Sequence, residues 1–132
     1  MSDLSVPNDY VDLLDTSTAL LATLGPGGQP QVTAIWFLYE DGRIKISLNK
    51  ARQKYKNLLR DPRVSFFILD PSNPQRSLEI RGEVEIADDS DYVAAARVGA
   101  KYGADLKAFD APGSSRVILT LNPTRIVPTT IG

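Results

Sequence analysis

Apolar residues recur along this chain with two different periods, and the switches between them mark out short strands and a few helices. In residues 7–15, Tyr10, Leu13 and Leu14 fall at helical spacing after Pro7, a residue suited to a first turn. This predicts a short N-terminal helix acting as a lid over one end of the core. Residues 18–24 form a short apolar run that ends at Gly25-Pro26-Gly27-Gly28, the pattern of a strand and its turn. Residues 31–39 are almost continuously apolar and rich in β-formers, as expected of a central strand buried on both faces. Asp41-Gly42 marks a hairpin. Residues 43–49 then alternate, with Ile44, Ile46 and Leu48 on one face and Arg43, Lys45, Ser47 and Asn49 on the other. The two turns predict three antiparallel strands in a row.

The period returns to 3.6 over residues 50–60. Ala51, Tyr55, Leu58 and Leu59 make an apolar stripe, while Lys50, Lys54 and Asn57 lie along another face. Arg52 falls in the first turn with Asn49 as N-cap, and Asp61-Pro62 ends the helix. Residues 63–69 are a dense apolar strand, and 70–76, with Pro71 and Pro74, are a loop. Residues 77–86 alternate again: Leu78, Ile80, Val84 and Ile86 inward, Glu79, Arg81, Glu83 and Glu85 outward. Gly82 falls on the inward face, where a missing side chain permits a bend or a close approach. Asp88-Asp89-Ser90-Asp91 supplies caps for a helix carrying Tyr92, Val93, Ala96, Val98 and Ala100, with Gly103 as its C-cap. After a small-residue loop at 104–114, residues 116–121 form a strand that Asn122-Pro123 interrupts and 124–127 resume.

Six or seven strands with hairpin links and two or three capping helices predict a mainly β fold. The expected architecture is one closed or nearly closed antiparallel barrel, in a single domain spanning 1–132. Side chains fill the interior of so small a barrel, so a sizeable flat ligand lies outside it, in a groove completed by a second subunit. The apolar residues on outer strand faces point the same way, to a dimer.

Composition narrows the chemistry. The 132 residues include no cysteine and no histidine. That rules out disulfides, thiol nucleophiles and zinc–thiolate sites, and equally histidine-dependent triads and histidine-ligated metals. No metal site is expected, and a cofactor has to bring any redox reactivity. A net charge of −1 argues against general nucleic-acid binding. No apolar run approaches the roughly 20 residues that span a bilayer. The first residues show neither a basic nor an apolar signal region, so the expected location is the cytoplasm.

Against that neutral background, residues 49–63 hold Lys50, Arg52, Lys54, Lys56, Arg60 and Arg63, six of the fifteen basic residues. The run lies where a strand hands over to a helix, and a helix start favours anions. Phosphate binding is one reading, and a solvated helix face is the other. Gly25–Gly28 lacks the spacing of a phosphate loop and reads as a hairpin turn. The alternating carboxylates of 77–86 read as a solvated face rather than an acid/base pair. Trp36 reads as core or dimer packing before ring stacking, and Tyr39, Tyr55, Tyr92 and Tyr102 carry no assignment.

These elements also carry a resemblance. The order Leu-Ala-Thr-Leu, Gly-x-Pro-Gln-Val, an aliphatic–aromatic strand and then Ile46-Ser-Leu-Asn-Lys-Ala-Arg52-x-Lys54-x-x-Asn57-Leu58-x-x-Asp61-Pro62-Arg63 resembles the pyridoxamine-phosphate-oxidase-like split-barrel family. Within that family the chain is similar to the small deazaflavin-dependent reductases of the B type. The resemblance covers most of residues 17–87 and returns at the last strand. It implies a homodimeric split barrel holding coenzyme F420, or alternatively FMN, between subunits. Carried over residue by residue, it implies that Arg52 and Lys54 bind the phosphate and that Asn57 is the polar position one turn later. Ser47 and Asn49 would line the phosphate and ring edge, with Gln31 and Thr33 beside the ring. Lys50, with Lys56 and Arg60, would meet the acidic tail of F420. The implied activity is hydride transfer to an electron-poor small molecule. Loops such as 70–76 and 104–114, of this chain or of the partner subunit, would wall the substrate, and no catalytic residue is identified. An FMN-dependent oxidoreductase and a non-catalytic cofactor-binding module are the rival readings.

Overall fold

A computed structural model describes residues 5–131; the leader reading of the first residues falls largely on 1–4, outside the described residues. Seven strands form one antiparallel sheet: β1 (Ala19–Leu24), β2 (Pro30–Ile35), β3 (Leu38–Glu40), β4 (Arg43–Asn49), β5 (Arg63–Leu69), β6 (Arg76–Asp88) and β7 (Arg116–Thr130). Their order across the sheet is β2-β1-β5-β6-β7-β4-β3. Helix α1 (Gln53–Arg60) follows β4 and α2 (Val93–Tyr102) follows β6. Short 3-10 segments occupy Asn8–Asp15, Pro26–Gly28 and Leu106–Phe109.

The sheet's two edges, β2 and β3, are halves of one run of chain. Residues 31–39 were expected to form one central strand buried on both faces, and this is corrected. The run breaks at Trp36-Phe37, β2 pairs only with β1 and β3 only with β4. The sheet therefore begins and ends on the same stretch, and this curls it into a split barrel. Val32, 59% exposed, lies on an outer face. The break follows from Phe37, which is fully buried and packs edge-on against Phe66 with ring centroids 5.0 Å apart.

Alternation is obeyed elsewhere. Ile44, Ile46 and Leu48 of β4, Leu78, Ile80 and Val84 of β6, and Val117, Leu119 and Leu121 of β7 all enter one core with Phe66 and Ile68. The N-terminal segment is 3-10 rather than α-helical but buries Leu13 and Leu14 there as expected. Gly82 sits at a register shift between β6 and β7; a Cβ would lie 2.1 Å from the Asn122 carbonyl oxygen. Opposite it, Asn122-Pro123 does not interrupt β7: the strand absorbs the irregularity as a bulge and continues to Thr130.

Helix α1 departs most from expectation. It starts at Gln53, and its buried residues are Asn57 and Leu58. Leu59 is 62% exposed, and Ala51 is exposed too, so the predicted four-residue stripe reduces to Leu58 and a partly buried Tyr55. A short helix with one contact line leaves half of such a stripe in solvent. Loop 70–76 is clasped to the N-terminal segment. Arg76 pairs with Asp12 at 2.6 Å and Asp70 at 3.0 Å and also donates to the Asp9 carbonyl. Among the described residues no helix is long and apolar enough to cross a membrane.

Candidate functional site

The junction of β4 and α1 is built by Asn49. Its side-chain oxygen accepts the Ala51 N–H at 2.8 Å, and its carbonyl accepts the Arg52 N–H at 3.1 Å. Asn49 thus shapes an Asx turn ahead of the helix and does not cap it, as had been expected; Arg52 occupies the N-cap position and makes no side-chain cap bond. Arg52 and Lys54 consequently project from the positive end of α1, where the helix dipole disfavours cations and favours anions. Neither side chain has a hydrogen-bond or ion-pair partner among the described residues. Burial, and then the neighbouring Arg52, hold the Lys54 ammonium below its ordinary pKa.

These two cations border a cavity of about 300 Å³. Thr33, Ala34, Ile35 and Trp36 form one wall, residues 46–49 of β4 another, and Arg116 closes it. Of the eight residues named from sequence, Thr33, Ser47, Asn49, Arg52 and Lys54 line it together. The Thr33 hydroxyl oxygen is buried there with no hydrogen-bond partner. Buried polar groups are normally paired, so an orphan inside a cationic cavity matches a ligand that brings its own polar atoms.

Gln31, Lys50 and Asn57 do not line the cavity. Lys50 is paired with Asp88 at 2.9 Å. Asn57 is fully buried and donates to Thr23 Oγ1 at 3.0 Å and Gln31 Oε1 at 2.9 Å, while accepting from Gln53 Nε2 at 2.9 Å. It ties α1 to β1 and β2. Its predicted place beside Lys50 and Lys54 on a polar face is corrected, because a three-bonded amide can be buried where an unpaired one cannot.

Sequence reasoning missed the other half of the site. Arg116 forks onto Asp110 through Nε at 2.7 Å and Nη2 at 2.9 Å, and its Nη1 donates to Ser47 Oγ at 3.1 Å. Asp110 also accepts from the Tyr92 hydroxyl at 2.6 Å and Asn49 Nδ2 at 3.1 Å. Arg116, then Tyr92 and Asn49, outweigh burial and hold the Asp110 carboxyl far below the usual range. No local pattern announces this cluster, since Asp110 lies in a small-residue loop and Arg116 at a strand start. It fixes the 104–114 loop against β4. That places Leu106 and Phe109 on a second cavity of about 320 Å³, which shares Ala34, Ile35, Trp36, Ser47 and Arg116 with the first. Within one chain, loop 70–76 lines neither cavity. Trp36 is 38% exposed and so is not core.

A larger cavity of about 470 Å³ lies between the N-terminal segment and the barrel and shares no residue with these two. Its walls include the core residues Leu14, Ile44, Ile80 and Leu121. Size favours it, but the unpaired cations and the orphaned hydroxyl lie in the smaller groove, which is therefore the candidate site.

The sequence model of the family described as pyridoxamine 5'-phosphate oxidase matches residues 8–129. Among solved structures, one described as an F420 reductase is 35% identical, with a TM-score of 0.83 over 92% of this chain and 98% of its own. A conserved hypothetical protein from Mycobacterium tuberculosis is 29% identical, with a TM-score of 0.76 over 98% and 88%. A heme binding protein from Mycobacterium smegmatis, 24% identical with a TM-score of 0.64 over 96% and 60%, shares the fold. No curated protein gives a significant match.

Proposed function

We propose, since this chain belongs to the pyridoxamine 5'-phosphate oxidase family, that it is an oxidoreductase holding a flavin-type cofactor by its phosphate at the start of α1. The cofactor we infer is coenzyme F420, with FMN as the alternative, and the substrate is an electron-poor organic small molecule. One observation carries the reading: Arg52 and Lys54 are unpartnered cations on a cavity that also holds the unpartnered Thr33 hydroxyl. A phosphate there meets a forked donor, a mobile ammonium and a helix N-terminus together. The 35% identity to a protein described as an F420 reductase supports F420 over FMN. Of the surplus cations, Lys50 is committed to Asp88 and Arg60 to the Leu24 carbonyl, which leaves Lys56 alone to meet the acidic tail of F420.

When bound and reduced, the deazaflavin supplies a hydride from its ring carbon. The chain's own part is to anchor the phosphate through Arg52 and Lys54, offer the Thr33 hydroxyl, and exclude water with Ala34, Ile35 and Trp36. The acceptor gains the hydride and one proton. Among the described residues no carboxylic acid or tyrosine lines either cavity, and Lys54 is engaged with the phosphate, so solvent is the proton source we infer. The proposed unit is a homodimer acting in the cytoplasm. Leu20, Ala34 and Phe67 are cross-strand neighbours on the outer face beside exposed Val32, an apolar patch that a second copy would cover.

Titration with oxidised F420 and with FMN, followed by fluorescence and absorbance, tests this. Tight F420 binding is expected, with reduction of a quinone, enone or tetrapyrrole. Tight FMN binding without F420 binding would overturn the cofactor, and F420 binding without turnover would make the protein a non-catalytic module.

A further inference from the structure

Shielding the phosphate groove does not by itself account for how Trp36 is held by the residues behind it. It is the chain's one tryptophan, stands at the break between β2 and β3, and lines both cavities. Such a break strands backbone polar groups that the ladder would otherwise pair. Here the Tyr102 hydroxyl, from the last turn of α2, accepts the Phe37 N–H at 3.0 Å and donates to the Phe37 carbonyl at 3.1 Å. Lys101 donates to the same carbonyl at 2.9 Å, with its ammonium 3.6 Å from the Phe37 ring centroid. The Tyr102 ring in turn lies flat on Trp36, centroids 4.2 Å apart and planes within 6°.

Tyr102 lines neither cavity, whereas Phe109, edge-on to Trp36 at 6.2 Å and 62°, lines the second. The indole is therefore backed from outside by a ring that is itself locked by hydrogen bonds. An indole left 38% exposed would otherwise be free to change rotamer. Its remaining surface faces a cavity walled by Ala34, Ile35, Val98 and Leu106. The polar end of that cavity is Ser47 with Arg116, whose charge Asp110 already balances. A neutral, flat, conjugated molecule with an accepting oxygen suits this lining: rings pair offset or edge-on, and the oxygen meets donors that ask for no counter-charge.

We propose that this second cavity binds the acceptor, that Trp36 there selects flat conjugated carbonyl compounds, and that Tyr102 is the positioning residue that holds Trp36 in place. The proposal rests on the groove reading for the reaction, while binding of the acceptor itself can be measured without any cofactor.

The test is calorimetric titration of the cofactor-free protein with 1,4-naphthoquinone and with 1-decalone, a saturated ketone of similar size that is not flat. Near-UV circular dichroism reports the Trp36–Tyr102 pair in parallel. Aromatic pairing is worth roughly two- to ten-fold in affinity, so the quinone should bind more tightly than the decalone by that factor. In Tyr102→Leu the dichroism signal and most of that preference should disappear together. Tyr102→Phe, which keeps the stack and loses the hydroxyl, should fall between. Equal binding of the two ketones by the native protein would overturn the proposal. So would a preserved preference in Tyr102→Leu after loss of the signal or, if that variant does not fold, an undiminished preference in both Tyr102→Phe and Trp36→Phe. A quinone preference with no F420 or FMN binding would instead sink the groove reading and leave this one standing.

Discussion

Arg116 and Arg52 border the same cavity and are used in opposite ways. Arg116 is buried and forked onto Asp110, whose carboxylate also takes the Tyr92 hydroxyl and the Asn49 amide. Arg52 is exposed and meets no carboxylate, nor does the half-buried Lys54 beside it. The first charge is consumed within the fold, pinning the 104–114 loop; the second is left for something that is not protein. Elsewhere in the basic run Lys50 is paired with Asp88, Arg63 with Asp61 and Arg60 with the Leu24 carbonyl, while Lys56 is exposed and lies off the cavity. In a nearly neutral chain, the density of positive charge does not mark the site. Missing counter-charges beside a cavity do.

The comparison breaks most visibly at Asp110. Asp110→Ala leaves the Arg116 guanidinium buried without its partner, and breaking a buried pair from one side costs several kcal/mol. A loss of roughly 3 kcal/mol is expected in urea unfolding at neutral pH. The acid limb gives an independent check. Because the folded pKa of Asp110 is depressed, its contribution is present above the ordinary value of 3.8 and is lost as pH falls below it. The slope of stability below pH 3.8 should therefore be shallower in Asp110→Ala than in the native protein. A change within about 0.5 kcal/mol, the range of an ordinary surface substitution, would put Arg116 in the same class as Arg52.

How much of this was legible beforehand depends on how far the partners lie along the chain. Alternation in 43–49 and 77–86 gave β4 and β6 correctly because each strand packs one face on a single core. Gly82 could be read as a close-approach point, and the carbonyl of Asn122 is what approaches it. The 31–39 run misled because an apolar residue does not say what will cover it: Phe37 turns into the barrel, whereas Trp36 leans on α2 and Val32 faces outward. Asn57 was misplaced because its partners Thr23 and Gln31 lie 34 and 26 residues away. Asp110 is hidden differently: its main partner Arg116 lies only six residues on, but neither a small-residue loop nor a strand start signals a pair, and Asn49 is 61 residues distant. The cations at Arg52 and Lys54 were named from local sequence, but that they lack partners is a property only the fold could reveal.

The other side of the comparison predicts loss of binding without loss of stability. Arg52→Ala and Lys54→Ala remove no hydrogen bond or ion pair of either side chain with the described residues, so unfolding free energies should stay within about 0.5 kcal/mol of native. Each removes a charge-assisted hydrogen bond worth about 1.5–3 kcal/mol, so affinity for F420 or FMN should fall by roughly ten-fold or more. A destabilised Lys54→Ala would mean that this ammonium serves the fold after all. Unchanged affinity in both variants would return the run to solvated surface.

The smallest effect separates Lys54 from Arg52. Lys54 is held below its ordinary value of 10.5, first by burial and then by Arg52, and an anion placed beside it reverses part of that shift. Binding therefore takes up a proton in the window between the lowered pKa of the free protein and the higher pKa of the complex. Affinity should be flat near neutrality and weaken as pH rises toward 10.5, by at most about ten-fold per pH unit and in practice a few-fold. Lys54→Ala should abolish this dependence, and Lys54→Arg should abolish it while keeping the charge. If the native protein shows no weakening up to pH 10.5 while Lys54→Ala still lowers affinity, the side chain acts by packing its stem against the cavity, and the unpaired charge that defines the site narrows to Arg52 alone.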